Sequence, residues 1–366
     1  MPPHLLHVFS TFAVGGPQVR TAAIINALGD EFRHTILPID GRREALAKIS
    51  VPVTCVAPPP SRHPLVRPLQ LRRILQAQRP KLVLTYNWGA IEAVLAARTL
   101  SIPVIHAEDG FGPDEAGRLR ARRVWARRLL LRGVPVIVPS RTLEQIALAD
   151  YRLSRARVQY IPNGIDLERF HAGRAPSVRA SLGASGEEIV FGAIGGLRPE
   201  KNLAFLLRAF REAAIPNSRL VLVGEGSCRR DLESLAVQLG IESKVRFAGA
   251  TEETAEHYRA FDIFVMSSLT EQMPLALLEA MASGLPAICA DAGDTAVLLG
   301  SAEPPEVVRR GDLAGYVQAL RTLAQDQGLR SRLGQKNRER CEAEYGLQNM
   351  VRRYRALYLE AITGSG

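Results

Sequence analysis

Residues Glu271-Gln272-Met273-Pro274-Leu275-Ala276-Leu277-Leu278-Glu279-Ala280-Met281-Ala282-Ser283-Gly284-Leu285-Pro286 decide how this chain is read. Just before them, Ile263-Phe264-Val265-Met266 is a short apolar run of the kind that forms a strand buried on both faces. Proline suits the first turn of a helix, where it has no N–H to lose, and Gly284 with Pro286 marks a stop. The expected order is strand, loop, helix from about Pro274 to Ser283, then a second strand through Ala287-Ile288-Cys289-Ala290. Glu271 falls in the loop and Glu279 inside the helix. The first amides of that helix, around Met273 and Leu275, face the same crevice as Glu271, and a helix N-terminus is an anion site. A carboxylate beside an anion site gains no obvious stability, so its presence points to function.

Working outward, two series of strand and helix signals follow one another. The first has strand candidates at Leu5–Ser10, Thr35–Pro38, Leu82–Thr85, Val104–His106 and Val134–Pro139, with a Gly15-Gly16-Pro17 turn opening a helical pattern to Leu28. The second has strands at Ile189–Ile194, Leu220–Val223 and Val245–Phe247, with helices around Leu203–Ala213 and Arg229–Leu239. Such alternation implies parallel sheets covered by helices on both faces, and each series opens with a strand running into a Gly-rich turn. The expected fold class is therefore α/β, with two Rossmann-like, doubly wound domains. Residues 1–164 make the first domain and 165–345 the second, with a seam at Ile161-Pro162-Asn163-Gly164-Ile165-Asp166 and the polar stretch to about Gly186. Residues 346–366 continue a helical pattern carrying Leu347, Val351, Tyr354, Leu357 and Tyr358. The Pro-rich stretch from Ala57 to Pro68 reads as an irregular loop.

A chain of 366 residues with 46% hydrophobic residues is long enough for two cores. No apolar run reaches the roughly 18–20 residues of a membrane span. The start, Met1-Pro2-Pro3-His4, lacks a basic leader region, and the four cysteines have no metal-ligand spacing, which favours free thiols in a reducing cytoplasm. The net charge of +10 is uneven: residues 1–164 hold 23 basic and 11 acidic side chains, the remainder 24 and 26. Arginine supplies 42 of the 47 basic residues, a compositional bias that does not explain the asymmetry. The basic half fits an anionic acceptor or an anionic membrane surface, and no nucleic-acid reading motif accompanies it.

Other motifs sit at strand ends. Gly195-Gly196-Leu197-Arg198-Pro199-Glu200-Lys201-Asn202 follows one strand and opens a helix, which suits a diphosphate; it is not a Walker sequence. Gly224-Glu225-Gly226 ends another strand at the carboxyl edge, where open α/β sheets bind ligands, and reads equally as a simple turn. His106 ends a strand before Ala107-Glu108-Asp109-Gly110-Phe111-Gly112; it is as consistent with a structural role as with a functional one, and Glu108 or Asp109 could hold its tautomer. Arg118–Arg132 carries seven arginines around Trp125. Arg128 and Arg132 break the apolar face of that helix, leaving membrane contact and a solvated packed helix both open. No Asp-x-Asp pair and no His/Cys cluster suggests a bound metal.

With these segments in place the chain resembles a family 4 glycosyltransferase of the GT-B fold. The resemblance runs in order through Gly15-Gly16, His106, Pro162–Asp166, Arg198–Asn202, Gly224–Gly226 and the Glu-x7-Glu pair Glu271 and Glu279. It implies two Rossmann-like domains facing a cleft, with the nucleotide sugar held mainly by the second, the acceptor by the first, and the final helix crossing back to the first. It puts Glu279 on the ribose hydroxyls, Glu271 on the donor sugar, and Gln272, Met273, Pro274 and Leu275 around sugar and phosphate. Lys201 would neutralise the diphosphate, with Gly196 and Gly224 lining the site. Gly15 and Gly16 would let a loop close over it, and His106 would line the sugar site. It further implies retention of anomeric configuration, no metal or other cofactor, and a nucleotide diphosphate sugar as donor, UDP favoured over GDP or ADP. The acceptor would be a cell-envelope polysaccharide or lipid-linked glycan, reached from the cytoplasmic face of a membrane. One departure stands out: the family usually has Arg directly after the turn glycine, where this chain has Gly196, and Arg198 two positions later is the expected substitute. That departure motivates an alternative, a sugar-nucleotide-binding partner subunit with little turnover of its own. A nicotinamide-dependent dehydrogenase is disfavoured, because Gly-x-Gly-x-x-Gly follows neither opening strand.

Overall fold

A computed structural model describes residues 1–61, 63, 66–110, 115, 119–186, 188–301 and 305–364. Phe111, Gly112, Arg118 and part of the Pro-rich loop lie outside the described residues. The chain divides into two compact units, residues 1–164 with 348–366, and residues 165–347.

The first unit holds seven strands, β1 (His4–Phe9), β2 (Arg33–Pro38), β3 (Val53–Cys55), β4 (Leu82–Tyr86), β5 (Val104–Ala107), β6 (Val136–Val138) and β7 (Val158–Tyr160). They form one sheet in the order β3-β2-β1-β4-β5-β6-β7, and its ladders are parallel. Every residue of β1, β4, β5 and β6 is buried, as expected of strands covered by helices on both faces. The two edge strands escaped the sequence reading because Val53-Thr54-Cys55 and Val158-Gln159-Tyr160 are short and partly exposed. Pro68 lies in the first turn of the helix Arg67–Gln78 rather than in a loop, where its missing N–H costs nothing.

The terminal helix Leu347–Thr363 packs on this first unit along almost its whole length. Tyr358 meets Phe32 edge to face at 6.2 Å, Arg355 Nε donates to Glu31 at 2.8 Å, and Met350 Sδ accepts from the Gly164 amide at 3.1 Å.

The second unit has β8 (Ile189–Ile194), β9 (Ser218–Val223), β10 (Val245–Gly249), β11 (Ile263–Met266), β12 (Ala287–Ala290) and β13 (Val307–Val308). They too are parallel, in the order β10-β9-β8-β11-β12-β13. Alternate residues enter opposite cores. Val190, Val221, Phe264 and Cys289 join one cluster, and Phe191, Leu222, Val265 and Ile288 the other. This period of two is what strands sandwiched between helix layers require, and each fully buried aliphatic or aromatic side chain contributes ~1.5–3 kcal/mol of transfer free energy. A short helix, Pro176–Ser181, lies within the polar stretch that runs to about Gly186. Both sheets reverse direction beside their first strand, at β1/β4 and at β8/β11, and such a switch point leaves a crevice at the carboxyl ends.

Candidate functional site

In the second unit the β8/β11 switch point collects most of the residues singled out above. β8 ends in Gly195-Gly196, and the loop beyond it carries Lys201 toward the loop after β11. Two contacts stitch these loops together: Leu269 N donates to the Glu200 carbonyl at 2.8 Å, and Ser267 Oγ to the Lys201 carbonyl at 2.9 Å. Lys201 Nζ consequently reaches Glu271 Oε1 at 2.5 Å, and Ser268 Oγ donates to the same oxygen at 2.8 Å. Residues Gly195, Gly196, Lys201, Ser267, Ser268 and Ala276 line a small pocket here.

Gln272, Met273 and Pro274 lead into the helix Leu275–Ala282, which starts one residue later than expected, with Pro274 as its cap. The first amides of a helix have no partner within it and carry a partial positive charge. The approach is fixed from behind by a turn that the sequence reading did not use. Gly293 has φ +58, and a Cβ there would sit 2.2 Å from the Glu271 carbonyl oxygen, while Asp294 N donates to the Gln272 carbonyl at 2.9 Å. Asp291-Ala292-Gly293-Asp294 was a detectable turn signal. The side-chain oxygen Oε1 of Gln272 is buried without a hydrogen-bond partner among the described residues.

Glu279 lies on the same helix, where the Tyr258 hydroxyl donates to its Oε2 at 2.8 Å and lies 3.1 Å from the Ala276 carbonyl oxygen. Burial pushes the Glu279 carboxyl up to about 7, against the pull of the Tyr258 hydrogen bond and the Arg169 charge. Nothing in the spacing of Glu271 and Glu279 revealed Tyr258 as the partner, because it comes from another helix, Thr254–Ala260.

The glycines of Gly224-Glu225-Gly226 answer to backbone packing. Gly224 has φ +140, and a Cβ there would lie 1.9 Å from the Gly195 carbonyl oxygen; one on Gly226 would lie 2.3 Å from that of Leu197. The two turns are hydrogen-bonded together, Gly195 N to Val223 O at 2.9 Å and Leu197 N to Glu225 O at 3.0 Å. Gly224 thus shapes the site by letting the Gly195 turn settle against it. Arg198 is exposed and makes no side-chain hydrogen bond or ion pair among the described residues. Its stem lies over Gly196, with Nε 3.1 Å from where a Cβ would stand.

Gly15, Gly16 and His106 belong to the first unit. Gly15 caps and Gly16 opens the helix Gly16–Leu28 at the carboxyl end of β1. His106, which the resemblance put at the sugar site, belongs to β5. It is fully buried in β5, with Thr85 Oγ1 2.8 Å from Nδ1 and Glu108 Oε2 3.5 Å from Nε2. Strand alternation points it into the helix-covered face, while Asp109, just past the strand, pairs with Arg20. Glu108 is held in turn by Arg127, which donates Nε at 2.8 Å and Nη2 at 3.1 Å and lies 5.1 Å from the Trp88 and Tyr151 ring centroids. Burial pushes the Glu108 carboxyl up, but the His106 hydrogen bond and the Arg127 charge outweigh it and hold it below its ordinary value. The basic helix, Ala121–Leu130, is therefore anchored by a buried arginine on one face and exposes Trp125 and Leu129 on another, with Arg128 4.9 Å over the Trp125 ring.

Two doubly wound parallel sheets, one with a lysine, a glutamate and a helix N-terminus at its switch point, define an α/β protein of the kind that binds phosphorylated ligands. Residues 14–169 match the family described as Glycosyltransferase Family 4, and residues 175–340 that described as Glycosyl transferases group 1. The chain belongs to this family of glycosyltransferases. A putative glycosyltransferase of Bacillus subtilis, EpsF, is 34% identical over 54% of this chain and 53% of its own length, so the match spans about half of that relative. The UDP-Gal:alpha-D-GlcNAc-diphosphoundecaprenol alpha-1,3-galactosyltransferase of Escherichia coli is 24% identical over 80% of this chain and 79% of its own. Anabaena Alr3699/HepE, crystallised with UDP, superposes with a TM-score of 0.84 at 17% identity, over 98% of this chain and all of that one. The fold is that of the GT-B glycosyltransferases. Among the described residues no helix is long and apolar enough to cross a membrane, and no group of three or more His, Cys, Asp or Glu side chains converges as metal ligands would.

Proposed function

We propose that this protein is a retaining, metal-independent glycosyltransferase that moves a sugar from a nucleotide diphosphate sugar, UDP-linked in preference, to a cell-envelope polysaccharide or lipid-linked glycan. The observation that carries this reading is the meeting of Lys201, Glu271 and the amino end of the helix Leu275–Ala282 at one switch point. In the transfer, the bond between the sugar's anomeric carbon and the diphosphate oxygen breaks, and a bond from the acceptor hydroxyl to that carbon forms on the same face. The acceptor proton leaves with the phosphate. Charge grows on the diphosphate as that bond lengthens, so a preorganised ammonium and helix amides favour the transition state over the ground state. Lys201 Nζ donates to Glu271 Oε1. A diphosphate then competes for the ammonium, freeing Glu271 to accept the sugar's hydroxyl groups. Glu279, with one oxygen already taken by Tyr258, accepts ribose hydroxyls through the other.

Two relatives support the choice of donor: HepE has been crystallised with UDP-glucose, and the Escherichia coli enzyme is named for UDP-Gal. Arg198 supplies the second cation at the diphosphate, its stem occupying the space that Gly196 leaves open. The acceptor reading adds a peripheral membrane contact at the cytoplasmic face through exposed Trp125 and Leu129 and the arginines beside them. The test is nucleoside diphosphate release and glycan product formed by the purified chain with UDP-, GDP- and ADP-sugars. Release abolished by Glu271→Ala supports the reading, and a chain that binds donor without turning it over refutes it in favour of a partner subunit.

A further inference from the structure

The first unit has a second concavity, at the amino ends of β5, β6 and β7. It is an open depression of about 420 Å³, and its floor includes Val104, Pro135 and Gln159. In a parallel sheet this is the amino edge, opposite the carboxyl edge of the same sheet where ligands usually bind. Arg98, Arg132 and Arg157 line it, with Glu360 of the terminal helix as the one carboxylate in its wall among the described residues.

These arginines differ from others on the same unit. Arg67 pairs with Glu92, Arg141 and Arg155 with Glu144, and Arg355 with Glu31. Arg132 and Arg157 have no side-chain partner among the described residues, and Glu360 has no ion pair. Arg98 gives Nη1 to the Leu130 carbonyl at 3.2 Å and the Arg132 carbonyl at 3.4 Å, which fixes its guanidinium and leaves other donors unspent. Three cations from separate segments thus line one open concavity with a single acid among the described residues. Their mutual repulsion falls when an anion enters, and planar guanidinium forks match phosphate oxygens in pairs.

We propose that this depression binds a phosphate group, at a site separate from the one that carries transfer. The ligand's phosphate belongs either to a small soluble compound or to a phospholipid headgroup. Binding ties together the end of the helix Glu92–Arg98, the turn after Leu130, the start of β7 and the last turns of the terminal helix. It therefore stabilises this unit by mass action.

The test uses the full chain with UDP saturating, so that the main site is occupied. Inorganic pyrophosphate is titrated by calorimetry, and vesicles of phosphatidic acid in phosphatidylcholine are tested by co-sedimentation. The double variant Arg132→Gln/Arg157→Gln should lose at least about tenfold in affinity, while its UDP affinity stays unchanged. Glu360→Gln, which removes the opposing charge, should gain about two- to fivefold; a gain cannot come from misfolding. Loss of pyrophosphate binding alone identifies a soluble ligand, and loss of vesicle binding alone a headgroup. If both variants bind pyrophosphate and vesicles as the wild-type chain does, the site does not exist.

Discussion

Glu279 offers a test in which the sign of the pH effect is fixed by the structure. Its carboxyl is pushed by burial from 4.5 to about 7. A shift of that size corresponds to about 3 kcal/mol of differential interaction between the two protonation states. Ribose hydroxyls need the ionised form as acceptor. About a tenth of the groups are ionised at pH 6 and about nine tenths at pH 8. UDP affinity should therefore rise about tenfold between those values by isothermal titration. The β-phosphate of UDP also titrates in this range, so Glu279→Gln is the reference: it keeps the shape, loses the titration, and should show only the ligand's share of the slope. Tyr258→Phe removes the hydrogen bond that favours the ionised form and should move the midpoint upward. Stability has the opposite sign. A carboxyl whose folded value is raised binds its proton more tightly when folded, so its contribution is fully present below pH 4.5 and declines as pH rises through about 7. The stability of the wild-type chain relative to Glu279→Gln should fall over that window. Identical UDP titrations for wild type and Glu279→Gln would refute the assignment.

Three further outcomes follow from particular contacts. Gly224→Ala places a methyl 1.9 Å from the Gly195 carbonyl at φ +140; the forced shift and the backbone strain should cost ~3 kcal/mol or more and lower the thermal midpoint by ~6–12 °C, with donor affinity weakened as the turn moves. Arg127→Ala leaves Glu108 buried without its bidentate partner; a loss of about 3–5 kcal/mol by chemical denaturation is expected, and Arg127→Ala/Glu108→Ala should recover part of it. Arg198→Ala should lower donor affinity and turnover without changing the melting temperature, since Arg198 is exposed and unpaired; unchanged kinetics would remove it from the diphosphate site.

Much of this was legible in the sequence for physical reasons. Strands such as Ile263–Met266 and Ala287–Ala290 are buried on both faces and therefore apolar throughout, and glycine and proline punctuate the helix between them. The meeting of Lys201 with Glu271 follows once β8 and β11 are neighbours in the sheet. What stayed hidden depends on contacts between distant segments. Tyr258 on Glu279, the Gly293 turn behind Glu271 and Arg127 on Glu108 leave no periodic trace. The burial of His106 in β5 and its contacts with Thr85 and Glu108 likewise left no trace in the sequence pattern.

The central claim is that the chain turns over a nucleotide diphosphate sugar at Lys201, Glu271 and Glu279. The most direct measurement is steady-state UDP release from UDP-sugars with an acceptor glycan, with the anomeric configuration of the product read from its proton coupling by NMR. The wild-type chain should release UDP without added divalent metal and with retained configuration, and Glu271→Ala should lose at least about a hundredfold in kcat, the scale of misplacing the reacting sugar. An inverted product, or release undiminished in Glu271→Ala, would contradict it.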